Sequence, residues 1–127
     1  MLRLWLDDDP AQSRRIDALL AEHGTMPGSM LVCDVVLAEA VWTLASASAF
    51  DQDKAAHLKA LHSLLGEAAF AFESREAVAS AVALFERSAC GFSDCLIAAK
   101  HELLACVFTA TFDKKMRRLP RVRVRVL

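Results

Sequence analysis

The sequence contains no unbroken apolar run of the roughly 18 or more residues that a membrane-spanning helix needs, which points to a soluble, globular chain. It has no C-x-x-C pair. The cysteines stand at 33, 90, 95 and 106, three of them in apolar contexts such as Leu31-Val32-Cys33 and Ala105-Cys106-Val107. They read as small core residues in a reducing compartment, which excludes a disulfide frame and a zinc fold. His57 and His62 are five apart and fall on different faces of any helix, so histidine offers no metal-binding pair. The start lacks a basic segment followed by an apolar stretch and a small-residue cleavage site, so no secretory signal and a cytoplasmic location are expected. Internal repeats, linkers and low-complexity segments are absent, and residues 114–127 contain no acid at all.

What remains is one domain's worth of chain. The 127 residues are 55% hydrophobic and 24% charged, with a mean hydropathy of +0.31, too apolar for disorder and long enough for a single hydrophobic core. The formal net charge of −1 hides an asymmetry: residues 1–113 hold 8 Lys/Arg against 16 Asp/Glu, while residues 114–127 hold 7 Lys/Arg. A near-neutral total therefore leaves room for an anionic partner at one end.

Apolar spacing and turn residues set out the elements. Asp9-Pro10 reads as a helix cap with proline in the first turn, and Ile16, Leu19 and Leu20 share a face before Gly24 stops the helix. Met30 to Cys33 reads as a strand, followed by a buried helix over 35–49 behind Asp34. Asp51 opens a helix carrying Leu58, Leu61, Leu64 and Leu65, and Ala69 to Phe72 suits a strand. Helices follow over 76–87 and 92–104, then a buried strand over Cys106–Ala110 and a helical turn over Lys114–Leu119. The alternating Arg and Val of 121–126 read as a last strand with one side buried. Strands alternating with helices predict an α/β fold with a largely parallel sheet covered by helices.

In such a sheet ligands bind at the carboxyl ends of strands, which draws attention to two acids. Asp113 follows the strand through Thr111-Phe112, and Asp94 stands at the start of the helix over 92–104. Either alone is explained by capping a helix N-terminus. Glu39 is the third candidate, because it sits mid-helix among Val35, Val36, Leu37, Val41, Trp42 and Leu44, where a buried unpaired carboxylate would be costly, unless it points to solvent at a helix edge. If the three converge, the natural ligand is a hard divalent cation, Mg²⁺ or Mn²⁺, positioned to activate water against a phosphodiester. Trp5, Trp42 and the seven phenylalanines read as core residues, because no basic residues interleave with them. His101 falls on nearly the face of Asp94, with a surface position as the simpler expectation.

Phe92-Ser93-Asp94-Cys95-Leu96-Ile97-Ala98-Ala99, Thr109-Ala110-Thr111-Phe112-Asp113-Lys114-Lys115 and Leu119-Pro120 resemble the C-terminal motifs of PIN-domain ribonucleases, in particular VapC-like toxins of toxin–antitoxin modules. Leu37-Ala38-Glu39-Ala40-Val41-Trp42-Thr43-Leu44 resembles the Glu-bearing helix of the same family. The resemblance implies a PIN-like three-layer α/β/α sandwich over 1–127, with a mostly parallel central sheet of about four or five strands. It also implies a Mg²⁺-dependent endoribonuclease whose acidic cluster includes Glu39, Asp94 and Asp113, with the Thr111 hydroxyl holding Asp113. A homodimer, a cognate antitoxin over the cleft and an RNA substrate follow from the same likeness. On that fold Lys114, Lys115, Arg117 and Arg118 lie beside the cleft and could grip phosphates, while Arg121, Arg123 and Arg125 either touch RNA or protect a sheet edge.

One departure stands out. Family members open with a strand ending in an Asp-Thr-Asn type motif, whose Asp is a principal metal ligand. Met1 to Leu6 instead matches the helix that follows it, so the chain is expected to begin about one strand late. The rival reading makes Leu2 to Leu6 the first strand with Asp7 as the substitute ligand. A PIN-like module that binds antitoxin or RNA without cutting is the competing function. A receiver-like signalling domain is disfavoured, because the strand over 69–72 is followed by Glu73 and not by Asp.

Overall fold

Asp9 sets the first element of the computed structural model, which describes residues 5, 9–46 and 53–127. Tertiary contacts divide the chain into two compact units, Met1–Glu73 and Ser74–Leu127.

In the first unit, Asp9 Oδ1 accepts the backbone N–H groups of Ala11 and Gln12, both at 3.1 Å. Pro10 fills the first position of helix α1, Pro10–His23, and the Gly24 N–H closes it on the Leu20 carbonyl at 2.7 Å. The helix buries no residue fully, and Leu19 is exposed. Strand β1, Met30–Val32, leads into helix α2, Asp34–Ser46. Asp34 donates its backbone N–H to Glu73 Oε2 at 3.4 Å, so a carboxylate from beyond the next strand helps satisfy the start of α2.

Helix α2 was expected to be buried throughout, and here the structure corrects the sequence. Leu37, Ala40, Val41 and Leu44 form one buried stripe at helical spacing, while Val35, Val36, Glu39 and Trp42 are exposed. Residues 47–49 of the expected helix lie outside the described residues, as does Asp51. Asp53 caps helix α3, Lys54–Gly66, through Oδ1 and the Ala55 N–H at 3.0 Å. Strand β2, Phe70–Phe72, pairs parallel to β1 with Leu31 opposite Ala71. Trp5 is helical, and the rest of the stretch Leu2 to Leu6, with Asp7, lies outside the described residues.

In the second unit, Ser74 Oγ accepts the Ala77 N–H at 3.2 Å and starts helix α4, Arg75–Arg87. Val78 and Val82 are fully buried on its inner face, and Cys95 is fully buried on helix α5, Phe92–Leu103, which packs against it. Phe85 and Phe92 meet edge to face with ring centroids 6.0 Å apart. Helix α5 ends in a Schellman turn: Cys106 donates to the His101 carbonyl at 2.9 Å while Ala105 takes φ 57°. That turn delays the strand expected from Cys106. Strand β3 is Thr109–Thr111, and Val107 is exposed instead of buried. A 3₁₀ helix, Lys114–Arg118, leads to strand β4, Val124–Val126, parallel to β3 with Ala110 opposite Arg125.

All the described pairings are parallel, as alternating strands and helices predict. The strands form two pairs and not one sheet of four or five, because among the described residues no strand bonds to a second neighbour.

Candidate active site

The best-defined turn follows the carboxyl end of β3. Thr111 Oγ1 accepts the Asp113 N–H at 3.0 Å, and Asp113 Oδ1 accepts the Lys115 N–H at 2.8 Å. The Thr111 hydroxyl thus bonds the backbone N–H of Asp113 and not its carboxylate. Asp113 is also the N-cap of the 3₁₀ helix, so the capping explanation offered for it from sequence is correct as far as it goes.

It does not serve for Asp94. Helix α5 begins behind Gly91 with no side-chain cap, and Asp94 lies inside the first turn. Its carboxyl is half-buried, and burial pushes its pKa up. The charge of Asp113 raises it further, partly offset by Lys115. These two acids, from α5 and the β3 turn, are therefore electrostatic neighbours with a lysine beside them, the kind of perturbed pairing that marks functional sites.

Cys90, which sequence reasoning assigned only to the core, lies in the same field. Its thiol pKa is raised, chiefly by burial, with smaller upward contributions from Asp113 and Asp94. It is buried and so is Cys95, consistent with their reading as small core residues.

The basic segment is anchored by its apolar members. Met116 and Leu119 are buried, which leaves Lys114, Lys115, Arg117 and Arg118 exposed on the 3₁₀ helix directly after Asp113. His101 is not a member of the acid site: its Nδ1 and Thr109 Oγ1 are hydrogen-bonded at 2.8 Å, tying α5 to β3.

Glu39 belongs to the first unit. It is exposed between Val35 and Trp42 on one face of α2, so the cost of burying an unpaired carboxylate does not arise for it. The aromatic residues correct the sequence reading more sharply. Trp42 is 69% exposed and Phe112, between Thr111 and Asp113, is 80% exposed. The signal for Phe112 is the even-position series Phe108, Ala110, Phe112 running against the odd-position Thr109 and Thr111, which sets it directly after β3 and out of phase with the buried Thr109.

Two half-buried carboxylates, one of them held toward its neutral form by burial and then by the charge of the other, are a donor set that suits a hard oxygen-liganded cation. Among the described residues no group of three or more His, Cys, Asp or Glu side chains is placed to hold a metal ion. A groove of about 410 Å³ in this unit, lined in part by Glu76, Arg87, Glu102 and Arg121, contains neither acid.

The family model of the PIN domain matches residues 1–122, and the chain belongs to that family, whose members are generally nucleases that use divalent metal ions. No curated protein and no solved structure matches the chain. No helix among the described residues is long and apolar enough to cross a membrane.

Proposed function

We propose that this chain is a metal-dependent endoribonuclease of the VapC-like toxin type, acting on RNA phosphodiesters with Mg²⁺ or Mn²⁺. The observation that carries the reading is the coupling of Asp94 to Asp113 beside Lys115. Asp94 and Asp113 would hold the cation, with Glu39 and one more acid completing the set as the resemblance implies. The bound ion supplies positive charge against the negative charge that builds on the phosphate. The chain's own part is to place that phosphate. Lys114, Lys115, Arg117 and Arg118 neutralise the backbone of the RNA, and the Thr111–Asp113 bond fixes the turn from which both the acid and the cations project.

The same reading includes a homodimer and an antitoxin that covers the site, in a cytoplasmic setting. It also holds that the Asp-bearing strand of the family is needed for full turnover. The test is cleavage of structured RNA with Mg²⁺, with a chelator as control, by the chain as written and by a form extended upstream with an Asp-Thr-Asn strand. Weak or no cleavage is expected from the first and strong cleavage from the second; equal turnover by both removes the need for the added ligand. In the extended form Asp94→Asn and Glu39→Gln should each abolish cleavage without unfolding, and full activity in either variant takes that residue out of the site. Capture of RNA without cleavage by every form would favour the non-cutting module.

A further inference from the structure

A parallel strand pair is normally covered on both faces, because helices return across it. Among the described residues of the second unit, the β3–β4 pair has one face left open. Thr109, Thr111, Val124 and Val126 point to the covered side, whereas Ala110, Arg125 and Leu127 are exposed on the other. Phe108 and Phe112 flank Ala110 on that same open face, two residues to either side. Phe108 is half-buried under the Arg125 guanidinium, which lies 3.7 Å from its ring centroid. Phe112 is 80% exposed and has no ring partner among the described residues. Two aromatic rings and an arginine thus share one exposed side that runs into the Asp113 turn.

We propose that this face is a single-stranded RNA platform on which Phe112 stacks a nucleobase next to a phosphate gripped by Lys114 and Lys115 just beyond Asp113, with Arg125 along the backbone. The inference rests on the ribonuclease reading above. Charge complementarity selects the occupant: the β4 side of the face belongs to a segment, residues 114–127, with 7 Lys/Arg and no acid, and a polyanion with flat bases is the ligand that uses both the cations and the rings. Edge protection by charge accounts for the arginines but not for an uncovered phenylalanine between two site residues. The backbone under Phe112 is already fixed, since the Thr111–Asp113 hydrogen bond spans it. The ring is therefore presented with little ordering cost left to meet on binding.

The test is fluorescence anisotropy of a short labelled single-stranded RNA in a chelator, so that binding is read without turnover. Phe112→Ala should weaken binding by about 5- to 150-fold with an unchanged salt slope, and Phe112→Trp should restore it. The same strand made abasic should bind the native chain as weakly as Phe112→Ala binds normal RNA, and Phe112→Ala should not distinguish the two strands. Because Phe112 is exposed, both variants should keep the native melting temperature. Equal RNA affinity of the native chain and Phe112→Ala overturns the platform while leaving the ribonuclease reading intact. A change in oligomeric state in place of RNA affinity would make the face a protein interface and also overturn it. Failure of the native chain to bind RNA at all defeats both.

Discussion

The Thr111 hydroxyl accepts the backbone N–H of Asp113 at 3.0 Å, and so a strand residue fixes the acid that follows it across the intervening Phe112. Replacing Thr111 by Val keeps the β-branched shape and removes the acceptor. The orphaned N–H should cost about 1 kcal/mol of stability, read as a lower urea midpoint. Cleavage by the extended form should fall about 10-fold, as a misplaced ligand does, and Thr111→Ser should recover both. Loss of activity in Val and Ser alike would mean that the methyl group, and not the hydrogen bond, positions Asp113.

Asp94 predicts a trade between stability and function. Its pKa is raised in the folded chain, by burial first and then by Asp113, so between the unfolded and the folded value the native state binds more proton than the unfolded chain. Stability therefore falls as pH rises from the ordinary carboxylate range through the folded value, and the deficit is complete above it. Asp94→Asn removes that deficit. Without divalent ions at pH 7.5 the variant should melt a few degrees higher than the native chain. Added Mg²⁺ should raise the native melting temperature, by about 1.4 kcal/mol of stability at ten times its dissociation constant, and leave the variant unmoved. Equal Mg²⁺ shifts in the two proteins would show that the ion binds elsewhere.

Much of this arrangement was legible in the sequence, because local chemistry decides it. Asp9-Pro10 and Gly24 delimit α1 through capping bonds that any chain would make, and the Arg–Val alternation of 121–126 matches the exposed and half-buried alternation of the last strand. The motif residues Asp94 and Asp113 could be singled out by their places after predicted elements. Illegible were the features set by tertiary packing. An apolar helix such as α2 does not reveal which of its apolar faces finds a neighbour, and so the exposed Trp42 reads as core from its sequence neighbours alone. The turn at Ala105 likewise hides in a run of apolar residues, Leu103-Leu104-Ala105-Cys106-Val107, in which a strand reads as starting at Cys106 because no glycine marks the turn.

That turn gives a third prediction. Ala105 holds φ 57°, a left-handed conformation that costs an L-residue about 1–2 kcal/mol and a glycine almost nothing. Against this, glycine makes the unfolded chain more flexible by about 0.4–1 kcal/mol. Ala105→Gly should therefore stabilise the chain by about 0.5–1 kcal/mol, measured as a higher urea midpoint at constant m-value. Destabilisation would mean that the methyl group of Ala105 makes a contact worth more than the strain.

Glu102 and Arg123 give a fourth. Arg123 bonds to Glu102 three ways: its Nη2 at 3.1 Å, its backbone N–H at 3.3 Å and its Nε at 3.4 Å. The Arg123 hydrogen bonds hold the Glu102 pKa below its usual range, so the stabilisation is present above that range and is lost as pH falls through the folded value. Denaturation of the native chain and of Arg123→Ala should differ at pH 7 and converge toward pH 3. A difference that persists undiminished in acid would assign the role of Arg123 to packing of its stem.

The cations at 115 and 118 separate two effects of charge. Arg118 is exposed on the 3₁₀ helix, so Arg118→Glu should act through phosphate contact alone. RNA affinity should fall about 10-fold, with the slope of log affinity against log salt reduced by about 0.7, the value for one single-strand phosphate contact. Lys115→Glu should do the same to RNA and something more. Lys115 partly offsets the upward push of Asp113 on Asp94, so reversing its charge deepens the negative potential at the acid pair. A divalent cation should then bind tighter while RNA binds more weakly, with the Asp113 cap intact because it uses the backbone N–H at 115. The two titrations therefore move in opposite directions for Lys115→Glu, and only the RNA titration moves for Arg118→Glu. Parallel changes in both ligands for both variants would mean that the segment carries no distinction between metal site and RNA rim.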